Sequence, residues 1–114
     1  MYRTNKYGNR KTEVDGIKFD SQKEANRYAE LKLMERGGLI KDLELQPRFE
    51  LMPKFERMGE KFRKMEYVAD FRYIDIENGG IEVVEDVKGM KTDVYKLKKK
   101  LLLFRYEDFV FTEI

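Results

Sequence analysis

Glu82-Val83-Val84-Glu85-Asp86-Val87-Lys88-Gly89 reads as a strand, entered through the turn residues Asn78-Gly79-Gly80 and left through a glycine. A period of two puts Asp86 and Lys88 on one face and Glu85 on the other. Val83, Val84 and Val87 mark the strand as largely buried, a setting where an acid is disfavoured unless paired or bound to metal. Upstream, Tyr67-Val68-Ala69-Asp70-Phe71-Arg72-Tyr73 carries apolar or aromatic residues at its odd positions, which leaves Asp70 on the other face with Val68 and Arg72. Two carboxylates hold a hard divalent cation such as Mg²⁺ through oxygen, and a nearby ammonium offsets the charge of an attacking water or a phosphate. That is the equipment of metal-assisted phosphodiester cleavage. A simple ion pair of Asp70 with Arg72 or Lys88 has the same appearance in sequence and little energetic value at a surface.

The 114 residues suffice for one domain, and 41% hydrophobic with 13% aromatic content is that of a folded chain. Net charge is only +2, from 24 basic and 22 acidic residues, but it is unevenly distributed. Residues 1–11 contain Arg3, Lys6, Arg10 and Lys11 and no acid, and Lys88 to Lys100 holds six lysines against Asp93. Asp75, Glu77, Glu82, Glu85 and Asp86 follow one another with no intervening base. Basic flanks around an acidic centre fit phosphates gripped at the periphery and a cation held in the middle. There is no cysteine, which excludes disulfides and thiolate zinc sites. There is no histidine either, which excludes imidazole bases, histidine-ligated zinc and the usual serine triad. No apolar run reaches the roughly 20 residues of a membrane span, and the polar start lacks a signal-peptide core, so a soluble, cytoplasmic protein is expected.

Residues 1–11 read as a flexible basic arm and 12–114 as a single domain. Asp15-Gly16 between Val14 and Ile17 predicts a two-residue hairpin. Ser21 with Glu24 has the capping-box form and opens a helix to about Arg36, stopped by Gly37-Gly38. Leu43–Met52 and Lys64–Ile76 alternate as strands, with Gly59 in a turn between them. Thr92 caps a second helix, where Val94, Leu97, Leu101 and Phe104 fall on one apolar face, and Phe109–Glu113 closes as a strand.

Within this frame Glu24 leans towards the sheet, between Tyr28 and Leu31 on the wheel, while Lys23, Asn26 and Glu30 take the far polar arc. It is equally suited to capping and to metal ligation. Lys96, Lys99 and Lys100 spread over the solvated arc of the second helix, whereas Lys98 lies nearer the core edge, within reach of a phosphate. The aromatic residues stand mostly at core-like spacings.

Glu24 in a first helix, Asp70 ending a strand and Asp86-Val87-Lys88 before a lysine-rich helix together resemble the PD-(D/E)XK nuclease superfamily. Ser21-Gln22-Lys23-Glu24, Gln46-Pro47-Arg48-Phe49 and Tyr67-Val68-Ala69-Asp70-Phe71 are similar to its small phage and prophage endonuclease-like branch, kin to transposon-end-cleaving nucleases and Holliday-junction resolvases. Ala69 departs from the proline that often precedes the first aspartate, but proline supplies no ligand there. The resemblance implies an α/β (α+β) fold, a restriction-endonuclease-like central mixed β-sheet flanked by helices with the site at the sheet's edge. It implies a Mg²⁺- or Mn²⁺-dependent DNA endonuclease of phage type, cutting branched or junction DNA in recombination or nicking duplex DNA. Asp70, Asp86, the Val87 carbonyl and Glu24 would hold the metal, Lys88 would orient or activate the water, and Gln46 would stand close by. Arg10, Lys11, Lys91, Lys96, Lys98 and Lys99 would contact DNA. A homodimer is expected for paired cuts, with no small-molecule cofactor and no membrane. The competing expectation is a catalytically silent nucleic-acid-binding or assembly module of the same fold.

Overall fold

A computed structural model describes residues 11–87 and 91–114 of the protein. The basic residues Arg3, Lys6 and Arg10, and above all Lys88, lie outside the described residues. Among these, no helix is long and apolar enough to cross a membrane.

The first element is the hairpin of β1 (Thr12–Val14) and β2 (Ile17–Phe19), in which Val14 pairs with Ile17. Asp15 and Gly16 connect them with φ of 54° and 76°, the double left-handed geometry that matches strand twist and that Asp-Gly tolerates well. Ser21 then caps α1 (Gln22–Arg36), its hydroxyl accepting from the Glu24 amide at 3.1 Å. Ala25, Tyr28 and Leu31 are the buried stripe of α1, at the three-residue spacing of one helical face. The chain continues through β3 (Ile40–Leu45), β4 (Arg48–Met52), β5 (Phe55–Arg57), β6 (Glu60–Phe62), β7 (Met65–Val68), β8 (Phe71–Asp75), β9 (Ile81–Asp86), α2 (Asp93–Arg105) and β10 (Phe109–Glu113).

The fold is mixed α+β. Its central sheet has the order β10-β9-β8-β3, with β10 parallel to β9 and the other neighbours antiparallel. A parallel pair needs a crossover, and α2 supplies it. The valines of β9 face opposite ways and so belong to two cores. Val83 packs with Phe71, Tyr73 and the buried face of α1, while Val84 packs with Phe49, Leu51, Tyr67, Ala69 and Leu102 of α2.

Three expectations are corrected. First, 43–52 and 64–76 are not two continuous strands: each breaks, at Gln46-Pro47 and at Ala69-Asp70, and the breaks face each other. The Gln46 amide donates to the Asp70 carbonyl at 2.9 Å and the Ala69 amide to the Pro47 carbonyl at 3.1 Å. Both chains therefore leave the central sheet together and pair again as β4 and β7. Pro47 cannot donate to a ladder, and Gln46 takes a φ of 51° ahead of it. The odd-position alternation survives the break, but Tyr67 and Ala69 serve one core and Phe71 and Tyr73 the other.

Second, the predicted apolar face of α2 is only in part its inner one: Leu101 packs against the second core, but Val94, Leu97 and Phe104 are 63%, 55% and 84% exposed, and the inner stripe also takes in Tyr95, Lys98, Lys99 and Leu102. Leu102 fills the second core, and the Tyr95 hydroxyl and Lys99 ammonium both donate to Glu113 at the end of β10. These anchors set the rotation of the helix against its hydrophobic pattern. Third, the acids stand at one end of the central strands β8 and β9, not along an edge strand.

Between β4 and β7 the chain forms a hairpin that the sequence signals only through Gly59. β5 and β6 pair through a Met58-Gly59 turn with φ of 55° and 76°. This is the same left-handed geometry as at Asp15-Gly16, and for a side chain such as methionine it costs about 1–2 kcal/mol.

Candidate functional site

Asp70 sits in the bend just before β8, and Asp86 is the last residue of β9. The two segments are held in register there: Phe71 pairs with Glu85, and the Asp70 amide donates to the Glu85 carbonyl at 3.1 Å. The Asp70 Oδ2 accepts from the Val87 amide at 2.6 Å, which fixes its carboxylate beside the end of β9. Asp86 is completely buried and its Oδ2 accepts from the Tyr67 hydroxyl. Burial, followed by this bond and the field of Asp86, pushes the Tyr67 hydroxyl far above its ordinary pKa, so it remains a donor. The main chain of Asp86 is tied as well, since its carbonyl accepts from the Ile114 amide at 2.8 Å.

Glu24 completes the group from the first turn of α1. It is buried, as its place on the helix wheel predicts, and its carboxyl lies beside that of Asp70. Burial raises the Glu24 pKa, the charge of Asp20 adds to the rise and that of Asp86 contributes less, while bonds to Asp70 and to the Asp20 backbone oppose it. Glu24 and Asp70 line a cleft of about 220 Å³ together with Gln46 and Lys18. The cleft opens the acidic group to solvent.

The donor set is oxygen-only, which suits a hard cation. Among the described residues no three acidic side chains stand close enough to enclose a metal ion. Glu24, Asp70 and Asp86 are neighbours, not a closed cage. Val87 contributes its amide to Asp70, and Lys88 lies outside the described residues.

Glu85 goes to the opposite face, as its strand position predicts. There it is buried against Arg27, whose Nε and Nη2 donate to its two oxygens at 2.7 and 2.6 Å, with the Tyr73 hydroxyl as a further donor. Arg72 pairs with Glu82 at 3.0 Å and Glu44 at 3.9 Å, so the alternative ion pair with Asp70 is not formed by Arg72. Of the lysines expected to meet DNA, Lys91 and Lys99 approach Glu113 at 3.6 and 2.7 Å, and Lys98 is half-buried beside Tyr67, Val68 and Tyr95. Lys96 and Lys11 are exposed. Two participants escaped the sequence reading. Lys18 of β2 lines the cleft beside Ile17 and Phe19. Tyr67 holds Asp86 and reads in sequence only as a core aromatic.

A family model described as "Protein of unknown function (DUF1064)" matches residues 4–114 of the chain. No curated protein and no solved structure matches it.

Proposed function

We propose that this chain, which belongs to the DUF1064 family, is a metal-dependent endonuclease that hydrolyses phosphodiester bonds of DNA. The observation that carries the reading is the nearness of Glu24, Asp70 and buried Asp86, from a helix, a bend and a strand end, with Glu24 and Asp70 lining an open cleft, in a chain without histidine or cysteine. Burial and like charges make such a group unfavourable for the fold alone, and acids kept at that disadvantage are a mark of functional sites. In this reading Asp70, Asp86 and Glu24 hold Mg²⁺ or Mn²⁺, with the Val87 carbonyl as a further oxygen. When bound, the metal supplies Lewis acidity at a phosphoryl oxygen and a more acidic water.

The chain's own contributions follow from its contacts. The Val87 amide and the Tyr67 hydroxyl each hold one carboxylate oxygen, so Asp70 and Asp86 are oriented before any ligand arrives. Lys18 meets the phosphate from the cleft wall, and Lys88, two residues beyond Asp86, positions the water. Branched or junction DNA, or duplex DNA that the enzyme nicks, is the proposed substrate, with a homodimer for paired cuts. The competing reading, a binding or assembly module without catalysis, draws on the absence of a closed acidic cage among the described residues.

Purified protein, Asp86→Asn and Lys88→Ala are incubated with supercoiled, linear and four-way-junction DNA in Mg²⁺, Mn²⁺ or chelator. Metal-dependent cutting lost in both variants is the expected result. Thermal unfolding gives a second readout: Mn²⁺ should raise the wild-type midpoint by mass action and leave Asp86→Asn unmoved. A folded wild type that neither cuts DNA nor responds to metal would refute the proposal.

A further inference from the structure

A chain that grips DNA needs cations not already paired within the fold. The β5–β6 ribbon offers them: every residue from Met52 to Lys64 is exposed. Lys54, Arg57, Lys61, Arg63 and Lys64 stand there against only Glu56 and Glu60. Among the described residues, Lys54, Arg57, Lys61 and Arg63 are in no ion pair, whereas Lys91 and Lys99 of the α2 region both reach Glu113.

The ribbon also shows apolar groups that belong to neither core. Phe55 and Phe62 stack across it with ring centres 4.7 Å apart and remain about as exposed as Val68 on the body. Met58, at the tip, is 94% exposed. Its left-handed backbone favours Asp, Asn or Gly, and Asp fills the matching position in the β1–β2 turn. A strained backbone that displays an apolar side chain to water serves no purpose in packing.

We propose that the β5–β6 ribbon is a DNA-binding arm that enters a groove of the duplex, with Lys54, Lys61 and Arg63 on phosphates and Met58 as an apolar wedge against a base step. Two-stranded ribbons fit DNA grooves, and a wedge of this type unstacks and kinks the duplex. The inference rests on DNA being the substrate. It adds where the duplex is held: β4 and β7 connect the Gln46/Asp70 breaks to the ribbon, and the ten residues from Arg48 to Arg57, eight of them in strands, reach at most roughly 30 Å. The arm therefore touches DNA within about nine base pairs of the cleft, at 3.4 Å per pair.

The test measures binding without cutting. A labelled duplex of roughly 30 base pairs, in chelator, is titrated with wild type, Met58→Asn, Lys61→Ala/Arg63→Ala and the body control Lys41→Ala, between about 50 and 200 mM salt. Met58→Asn should bind about five- to tenfold more weakly and bend the duplex less by end-to-end energy transfer, with an unfolding midpoint no lower than wild type. The double variant should reduce the salt slope by about two, as two lost phosphate contacts predict, and Lys41→Ala should change neither quantity. Wild-type affinity, bend and slope in the ribbon variants, or an equal slope loss in Lys41→Ala, would overturn the arm while leaving DNA as the substrate. A wild type that binds no duplex would overturn both. Ribbon-dependent binding without cleavage in metal would sustain the arm and remove only the catalytic proposal.

Discussion

Arg27→Met should be among the most damaging single changes available outside the cleft. Arg27 makes two hydrogen bonds to Glu85, whose side chain is only 1% exposed, while its own is 19% exposed. With Arg27 gone, Glu85 keeps the Tyr73 hydroxyl and loses its counter-charge. Breaking a buried pair from one side costs about 3–5 kcal/mol, and the partial exposure of Arg27 puts this case near the lower end. Against a total of roughly 5–15 kcal/mol for a domain, that is a large share, and it corresponds to a midpoint lower by roughly 12–20 °C. Urea unfolding followed by far-UV circular dichroism measures it, the chain having no tryptophan. Removing both charges in Arg27→Met/Glu85→Leu should restore most of the loss, because an apolar pair of similar volume needs no counter-ion. A single-variant loss under about 1 kcal/mol, the range of an exposed pair, would refute the argument. So would a double variant no more stable than the single. Arg27 lies on the face away from the Asp86 carboxylate, so cutting per folded molecule should persist in both.

Glu24→Gln should stabilise the protein at neutral pH and abolish cutting. The raised Glu24 pKa means the native state holds its proton more tightly than the unfolded chain, so wild-type stability falls as pH rises above the ordinary 4.5, and unfolding midpoints of wild type and variant should diverge in that direction. Glu113 behaves oppositely. Lys99, then Tyr95, hold its pKa down to about 2 from 4.5, so its contribution is present above about 4.5 and is lost as pH falls towards 2; acid titration of Glu113→Gln should lack that loss. Tyr67→Phe removes the hydroxyl that donates to buried Asp86 and should cost about 1–3 kcal/mol in urea unfolding, with the secondary structure unchanged.

Much of this molecule was legible from local chemistry. Asp15-Gly16, Ser21 and Thr92 each act through their own neighbours, and the hairpin and both helix starts fall where those residues put them. The same holds for Glu24, whose wheel position carries it inward, and for the division of Glu85 from Asp86, which needs only a period of two. What remained hidden depends on partners far along the chain. The paired breaks at Gln46-Pro47 and Ala69-Asp70 keep the alternation intact while changing the sheet that receives it, so no count within one segment can detect them. The roll of α2 is set by Glu113, which follows it in sequence, and leaves only Leu101 of the predicted apolar stripe facing the core. Gly59 signalled a turn, but the β5–β6 hairpin around it escaped because methionine is a poor residue for the turn it makes. At the cleft, the acids were readable one by one; that Glu24 and Asp70 line one cleft, and that Tyr67 holds Asp86, are consequences of tertiary placement alone.

β9 is flanked on both sides, by β8 and by β10, and its two valines close separate cores. Its amides should therefore be the slowest in the molecule to exchange with deuterated water, released only by global opening. α1 rests on one core and can open without the other. Asp86 thus rides on the last element to let go and Glu24 on one that lets go sooner, so partial openings would detach the helix-borne acid from a strand-borne pair that stays in register. Exchange at the start of α1 should accordingly outpace exchange at Val84, and the cleft can be dismantled and rebuilt many times within the lifetime of a single folded sheet.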